Sequence, residues 1–423
     1  MRILFFSHYF PPEVNAPASR TFEHCRLWAQ AGHDVTVVTC APNHPRGKIY
    51  PGYKNKLFDL EMLEGVQIAR VWTFPAANEG FLLRILNYLS YMIFATLAVV
   101  RLERPDVIIS TSPQLFCGLT GLLVKAIRGA PWVLEIRDLW PESIVTVGAM
   151  RKGGAIRFLE WLGSLAYRSA DHIVSVTDSF VMHIAARGGA GKIDVIKNGA
   201  DLEFFKLGAG NKQFKEKLGF EGRFVAAYVG THGMAHALET VLDAAERLSN
   251  DRRIGFLMVG DGAERARLLA RAETMKLENL RIVGQLPKTD MPTVWAATDV
   301  SLILLKHSDL FKSVVPSKMF EAMAMGRPIV LGVKGEACAM LEEAGAGIAI
   351  TPESAEELAA AVVKLADDPE LAARLGRQGS DYVREHYDRT KLARNYLDLL
   401  ESVIAKSRIR KQEAGSIEDA ASR

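Results

Sequence analysis

The chain has 423 residues, of which 49% are hydrophobic and 24% charged, with 34 glycines and 17 prolines, a balance that excludes disorder, collagen and coiled coil and supplies material for two large domains. Its 52 basic and 49 acidic residues leave a formal charge of +3, too near balance for a nucleic-acid binder; the excess is uneven, +5 over residues 1–200 and −2 over the rest, so any anionic surface is expected to meet the N-terminal half. Four scattered cysteines, Cys25, Cys40, Cys117 and Cys338, have no CxxC and no His at metal-ligand spacing, which argues against a zinc site or a disulfide framework and fits a reduced cytosol.

Ile3–Phe6 is only strand-length before the polar Ser7-His8, so the chain is expected to start with a strand and not with a secretory leader. A helix-like stretch Ala18–Ala31, a turn at Gly32 and the β-branched Val35–Thr39 complete a βαβ unit. Apolar strands follow at Val66–Thr73, Val107–Ser110, Trp132–Ile136, Ile173–Val176 and Asp194–Ile196, spaced for crossover helices and hence for a mostly parallel sheet. The pattern breaks at Asn198-Gly199-Ala200-Asp201 and restarts at Phe224–Val229, with a helix near Leu238–Leu248 and strands at Ile254–Val259, Leu280–Val283, Val300–Leu304, Pro328–Leu331 and Gly347–Ile350. The expected fold is α/β: two Rossmann-like doubly wound domains, residues 1–200 and 205–385, facing across a cleft at the carboxyl ends of their strands. Pro369–Ile404 reads as two helices, the second, about 386–404, expected to pack back on the first domain, and the polar 406–423 as a disordered tail.

One segment stands apart. Ile85–Val100 contains only Asn87, Ser90 and Thr96 as polar residues and is bracketed by Arg84 and Arg101. It is short for a spanning helix, which needs about 20 residues, and reads either as a helix buried on the sheet or as one lying in a lipid interface. The basic and aromatic stretch Arg46, Lys48, Tyr50, Tyr53, Lys54 and Lys56 favours the interface.

Four motifs carry candidate chemistry. The loop from His8 to Arg20, with Asn15 inside it, opens a helix whose free N–H groups either face an anion or merely follow a proline-held turn. Gly230-Thr231-His232-Gly233 follows the first strand of the second half and gives small residues where a diphosphate can approach the backbone, although it is neither a Walker A loop nor GxGxxG. In Ser313…Pro316-Ser317-Lys318-Met319-Phe320-Glu321, Lys318 and Glu321 share one helix face; there the cation can hold phosphate while the carboxylate accepts ribose hydroxyls, or the two can form an ordinary surface pair. Arg137-Asp138 follows the strand Trp132–Ile136, where charges are either functional or part of a solvent-facing turn.

Together these motifs resemble family 4 of the retaining, GT-B-fold glycosyltransferases from Met1 to about Ile404: Tyr9–Pro12, Gly32–Thr39, the Ile-x-Asn-Gly-x-Asp of the junction at Ile196–Asp201, Val259–Gly262 and the Pro-Ser-Lys block at 316–329. The Gly-x-His-Gly loop, the Arg-Asp-Leu-Trp-Pro motif and the Pro-Ser-Lys block resemble the branch that includes the fucosamine transferases of O-antigen and capsule synthesis. The resemblance implies transfer of an N-acetylated sugar from a UDP donor to a polyprenyl-diphosphate-linked saccharide at the cytoplasmic face of the inner membrane, with no nucleic-acid partner. It departs from the family at two places: Ser313 stands where the first Glu of Glu-x7-Glu is usual, and Arg137-Asp138 where many members have His-Asp.

The catalytic candidates are therefore Arg137, Asp138 and Lys318, and the donor-binding candidates Glu321, Lys318, Ser317, Ser313, Gly230, His232, Gly233 and Asn15. Lacking an Asp-x-Asp motif, the chain is expected to need no metal and no cofactor, with Lys318, helix N-termini and His232 meeting the charge of departing UDP. The alternatives are a UDP-N-acetylhexosamine 2-epimerase-like isomerase and a sugar-nucleotide-binding subunit without chemistry.

Overall fold

A computed structural model describes residues 1–76, 81–140, 142, 153–207 and 213–421. The chain divides into two units, Met1–Lys197 with Thr390–Arg423, and Asn198–Arg389.

In the first unit, β1 (Arg2–Phe6), β2 (Asp34–Cys40), β3 (Phe58–Leu63), β4 (Val66–Val71), β5 (Val107–Thr111), β6 (Trp132–Ile136), β7 (His172–Ser175) and β8 (Ile193–Val195) form one sheet in the order β3-β4-β2-β1-β5-β6-β7-β8. All pairings are parallel except β3 on β4. The central strands are continuous apolar runs because both faces of a parallel sheet are covered. Helix α1 (Ala16–Gln30) begins where Asn15 Oδ1 accepts the Ala18 N–H at 2.9 Å, with Pro17 in its first turn, and buries Ala18, Thr21, Cys25 and Trp28 at helical spacing.

In the second unit, β9 (Phe224–Val229), β10 (Ile254–Val259), β11 (Leu280–Val283), β12 (Val300–Leu304), β13 (Ile329–Gly332) and β14 (Gly347–Ala349) form an all-parallel sheet in the order β11-β10-β9-β12-β13-β14. In each sheet the first strand in sequence sits between neighbours that wind in opposite directions: β1 between β2 and β5, β9 between β10 and β12. Such a switch point opens a crevice at the carboxyl ends, so the residues just after β1 and β9 are where ligands are met.

The structure adds to or corrects the sequence reading in four places. Strand β3, beyond the basic and aromatic stretch that ends at Lys56, has no counterpart in the sequence reading: it is an edge strand on which Leu60 and Met62 are exposed and Glu61 pairs with Arg70. Within that stretch Arg46, Lys48, Lys54 and Lys56 are exposed, but the Tyr50 hydroxyl donates to His44 O at 2.7 Å and the Tyr53 ring lies 4.9 Å under Arg70, so the aromatic rings are turned inward. Residues 406–421, expected to be disordered, continue helix α4 (Arg389–Ala421), α2 and α3 being defined below; they are rich in Lys, Arg, Glu, Gln and Ala, all strong helix formers, and Lys411 reaches Gly129 O. The early part of α4 packs on the first unit: Trp28 Nε1 donates to Ala393 O at 2.9 Å, and Tyr396, Leu400 and Val403 join the core of Ile3, Phe5, Val37 and Ile109.

The fourth place is α2 (Phe81–Ala98), continued by a 3₁₀ turn Val99–Arg101. Leu82–Arg101 makes 20 residues, long and apolar enough to cross a membrane by length and composition, where the sequence reading stopped at sixteen. One face is nevertheless committed to the sheet. Asn87, Tyr88, Tyr91, Ala95 and Ala98 are buried, and the Tyr91 hydroxyl donates to Val38 O at 2.7 Å. The other face leaves Leu82 (80%), Leu86 (48%), Ile93 (49%) and Leu97 (57%) exposed. The helix is thus both a sheet-packed helix and a bearer of bare apolar surface.

Candidate active site

The second unit builds its site from glycine contacts. Beyond β9, Gly230 has φ +142°, and the loop lies against the end of β10: Gly230 N donates to Val259 O and His232 N to Asp261 O, both at 2.9 Å. A Cβ on Gly260 would stand 1.9 Å from Gly230 O, so only glycine permits this approach. Lys318, first residue of α3 (Lys318–Ala324), reaches into the turn. Its Nζ lies 3.6 Å from the centroid of the Tyr228 ring and 2.9 Å from where a Gly230 Cβ would be. It is buried and makes no hydrogen bond among the described residues. Burial lowers its pKa to about 7, with Glu321 pulling partly the other way.

His232 and His236 complete the chamber. Burial holds them at about 4 and about 3, helped for both by the Lys318 cation, so both rings are neutral at neutral pH. Neither nitrogen of His232 has a hydrogen-bond partner among the described residues, nor has Nδ1 of His236. Lys318 Nζ and the ring nitrogens of His232, unpaired among the described residues, gather at one turn, where the amine and one imidazole N–H can donate to anionic oxygens, while neutral His236 gives its N–H to Leu304 O and keeps only an acceptor nitrogen. Desolvation leaves His232 a neutral imidazole that can donate one N–H.

The other donor-binding candidates divide. Glu321 lies on the same helix as Lys318, and its Oε2 accepts the indole N–H of buried Trp295 at 3.4 Å. Ser317 precedes α3 without capping it, and Gly233 starts the turn that carries His236, whose N–H donates to Gly233 O at 3.1 Å. The Ser313 hydroxyl donates to Leu310 O at 2.6 Å, an internal turn contact. Asn15 belongs to the first unit, and its side-chain oxygen is occupied at the cap of α1.

In the first unit the Arg137 backbone N–H donates to Ser112 Oγ at 2.8 Å and its guanidinium to Pro17 O at 3.1 Å. Asp138 lines a recess with Trp140 and Tyr167. Pro141 of the same motif lies outside the described residues. Beneath them runs a pair that the sequence reading missed: Arg20 Nη2 meets Glu135 Oε2 at 3.1 Å, both side chains being buried, and donates to Ile196 O at 2.9 Å, while Nη1 donates to Lys197 O at 2.9 Å. Tyr228 and His236 were missed as well. Tyr228 falls in an apolar strand, where periodicity marks only core; the spacing of His236 from Gly230 was the usable signal.

Two doubly wound units in one chain are the architecture of the GT-B glycosyltransferases, and the family matches assign the chain to that class. Residues 15–199 match the glycosyl transferase 4-like domain and residues 210–382 the glycosyl transferases group 1 domain. WcaI of Escherichia coli strain K12, a candidate colanic acid biosynthesis glycosyl transferase, is 27% identical over 380 residues, 86% of this chain and 91% of that protein. WbjE of Pseudomonas aeruginosa, a probable glycosyltransferase, is 29% identical over 294 residues, 68% of this chain and 73% of that one. The structure of Anabaena HepE in complex with UDP-glucose shares the fold with a TM-score of 0.70 at 17% identity, over 95% of this chain and 100% of that chain. The chain belongs to the family 4 glycosyltransferases of GT-B fold, and the isomerase alternative gives way to a transferase.

Proposed function

We propose that the protein transfers a sugar, an N-acetylated hexosamine or 6-deoxyhexosamine, from a UDP donor to a lipid-diphosphate-linked saccharide in the synthesis of a bacterial surface polysaccharide, with retention of configuration. The observation that carries the donor half is Lys318, a buried amine beside the Gly230 turn with no hydrogen-bond partner among the described residues. It supports a diphosphate at the switch point of the second unit, with Glu321 accepting ribose hydroxyls one helical turn away. HepE, which shares the fold, has been solved with UDP-glucose, and WcaI is tied by name to a polysaccharide; both likenesses support the reading.

The charge that develops on departing UDP is met by Lys318, and the neutral N–H of His232 reinforces it. No metal takes part in this reading. Arg137 steadies the acceptor or the phosphate from the first unit, Asp138 orients the attacking hydroxyl, and attack occurs on the face the diphosphate leaves. Turnover with a panel of UDP-sugars and a lipid-linked acceptor tests the whole assignment, and dependence on added Mg²⁺ after EDTA treatment would overturn the metal-free part. Parental turnover in Arg137→Ala and Asp138→Asn would remove those two residues from the reaction.

The enzyme works on the cytoplasmic face of the inner membrane in this reading. The bare face of α2 supplies apolar contact, and exposed Arg46, Lys48, Lys54 and Lys56 supply charge, worth about 1 kcal/mol per favourably placed cation. Replacing Leu86, Ile93 and Leu97 by Ser should abolish flotation with anionic vesicles; unchanged flotation would overturn the docking.

A further inference from the structure

The carboxyl end of the first sheet holds a recess that the donor reading leaves unused. His8 and Tyr9 follow β1, Asn43 and His44 follow β2, and Arg84, Asn87 and Tyr88 come from the first half of α2. With Ala76 they line a recess at the switch point of the sheet, about 240 Å³ counting its mouth open to solvent, with room at its base for about one water-sized oxygen. The rings of Tyr9, Tyr88 and Tyr91 surround His8 with centroids 5.0, 5.2 and 5.0 Å away. His8 is buried, and neither of its ring nitrogens completes a hydrogen bond among the described residues.

The charge in this recess is one-sided. Burial lowers His8 to about 3, against the pull of Asn87 toward its N–H, and His44 to about 4, with Arg84 adding to the effect, so each imidazole is neutral. Arg84, 3.4 Å from the Tyr88 hydroxyl, makes no ion pair among the described residues and is the only formal charge on the lining. Glu13 does not line it: its Oε1 accepts the backbone N–H groups of Asn43 and His44, each at 2.8 Å, and burial pushes it up to about 7. A lone guanidinium among buried neutral donors suits an anionic oxygen and disfavours a cation. Leu82, Leu83 and Leu86, on the exposed side of the same helix, place apolar surface next to it.

We propose that this recess is a phosphoryl subsite for an amphiphile, with Arg84 as the counter-charge and His8 and Tyr88 as neutral donors. The proposal rests on the acceptor reading above and adds the group by which that acceptor is held. Two sources carry this chemistry, the diphosphate of a lipid-linked acceptor and the headgroup of a bilayer phospholipid.

Calorimetric titration of the full chain with farnesyl diphosphate, alongside UDP and farnesol, tests it. The parent should bind farnesyl diphosphate and not farnesol. Arg84→Gln should weaken farnesyl diphosphate by about tenfold or more, the value of one charge-assisted contact, with Arg84→Lys intermediate and UDP affinity unchanged in both. Because Arg84 lies at the rim, the variants should keep the parent's circular dichroism, and His8→Gln gives a second reading from the buried side. Flotation with phosphatidylglycerol vesicles separates the sources: loss of farnesyl diphosphate alone assigns the subsite to the acceptor, and loss of vesicles alone assigns it to the headgroup. Parental binding of both probes by Arg84→Gln, or a parent that binds neither, overturns the subsite. Failure of the parent to bind UDP would defeat the donor reading instead and leave these outcomes to decide the subsite on their own.

Discussion

Each unit buries a cation near the carboxyl end of its sheet and treats it in the opposite way. Arg20 is saturated: it shares Glu135 and the carbonyls of Ile196 and Lys197, and Glu135 takes a further bond from Thr111 Oγ1 at 3.0 Å. Burial pushes the Glu135 carboxyl up, but Arg20 and Arg137 outweigh it and hold the group below its ordinary range. Lys318 has a ring face and, among the described residues, no acceptor, and its amine falls toward neutrality instead. A buried charge with all its partners is architecture, whereas one without them is stable only because it can shed its proton, and it marks where a ligand supplies the missing charge.

The comparison breaks hardest at Arg20. Arg20→Ala strands the Glu135 carboxylate in the core and should cost about 3–5 kcal/mol in urea unfolding. The native pair contributes stability that is full above the ordinary carboxylate pKa and is lost as pH falls through the lowered native value, so the gap between variant and parent should shrink in acid. A gap under about 1 kcal/mol at neutral pH would show that the pair is not architectural.

Lys318→Met should do the reverse. It removes a desolvated amine and keeps the volume, so the thermal midpoint should hold or rise, while UDP binding weakens by about ten- to a hundredfold, the value of charge-assisted bonds to phosphate. A variant that is destabilised yet still binds UDP like the parent would make Lys318 a structural residue. Glu321→Gln should be milder, about tenfold on UDP, because the amide keeps an acceptor for one ribose hydroxyl and loses only the charge. Uridine should be affected by Glu321→Gln and spared by Lys318→Met, which separates ribose from phosphate.

How much of this the sequence discloses follows from the same contrast. The apolar runs of β1, β5, β9, β10 and β12 have a period that burial on both faces enforces, so the doubly wound order is visible before any coordinates. Lys318 and Glu321 are visible because proline, helix spacing and family resemblance converge on one short block. Arg20 with Glu135 is not, since 115 residues separate the partners and each alone looks like an ordinary helix or strand residue. His8 and Arg84 fail for the same reason: only the stacking of α2 over β1 and β2 brings them to one recess. Ser313 shows the converse, a position marked by the family pattern whose hydroxyl is taken by a local turn.

The smallest expected effect is also the most specific, the pH dependence of UDP affinity. In the free protein the Lys318 amine titrates at about 7, because burial disfavours the ammonium. A diphosphate beside it supplies an opposite charge in place of the solvation that burial removed, and lifts the amine toward the ordinary lysine range. Below about pH 7 both states carry the proton and it contributes no slope. Above it the free protein has lost the proton that the complex keeps, so binding takes one up and affinity falls, by at most about tenfold per pH unit until the raised value is passed. The terminal phosphate of UDP, which ionises near pH 6 as phosphate monoesters do, is already fully charged in this window. His232 and His236, at about 4 and about 3, stay neutral throughout, which leaves Lys318 as the titrating group of the chamber. Calorimetry between pH 7 and 9 in buffers of different ionisation enthalpy should therefore find proton uptake in the parent and none in Lys318→Met; uptake that persists in the variant would assign the proton to another group and end the contrast between a saturated cation and a waiting one.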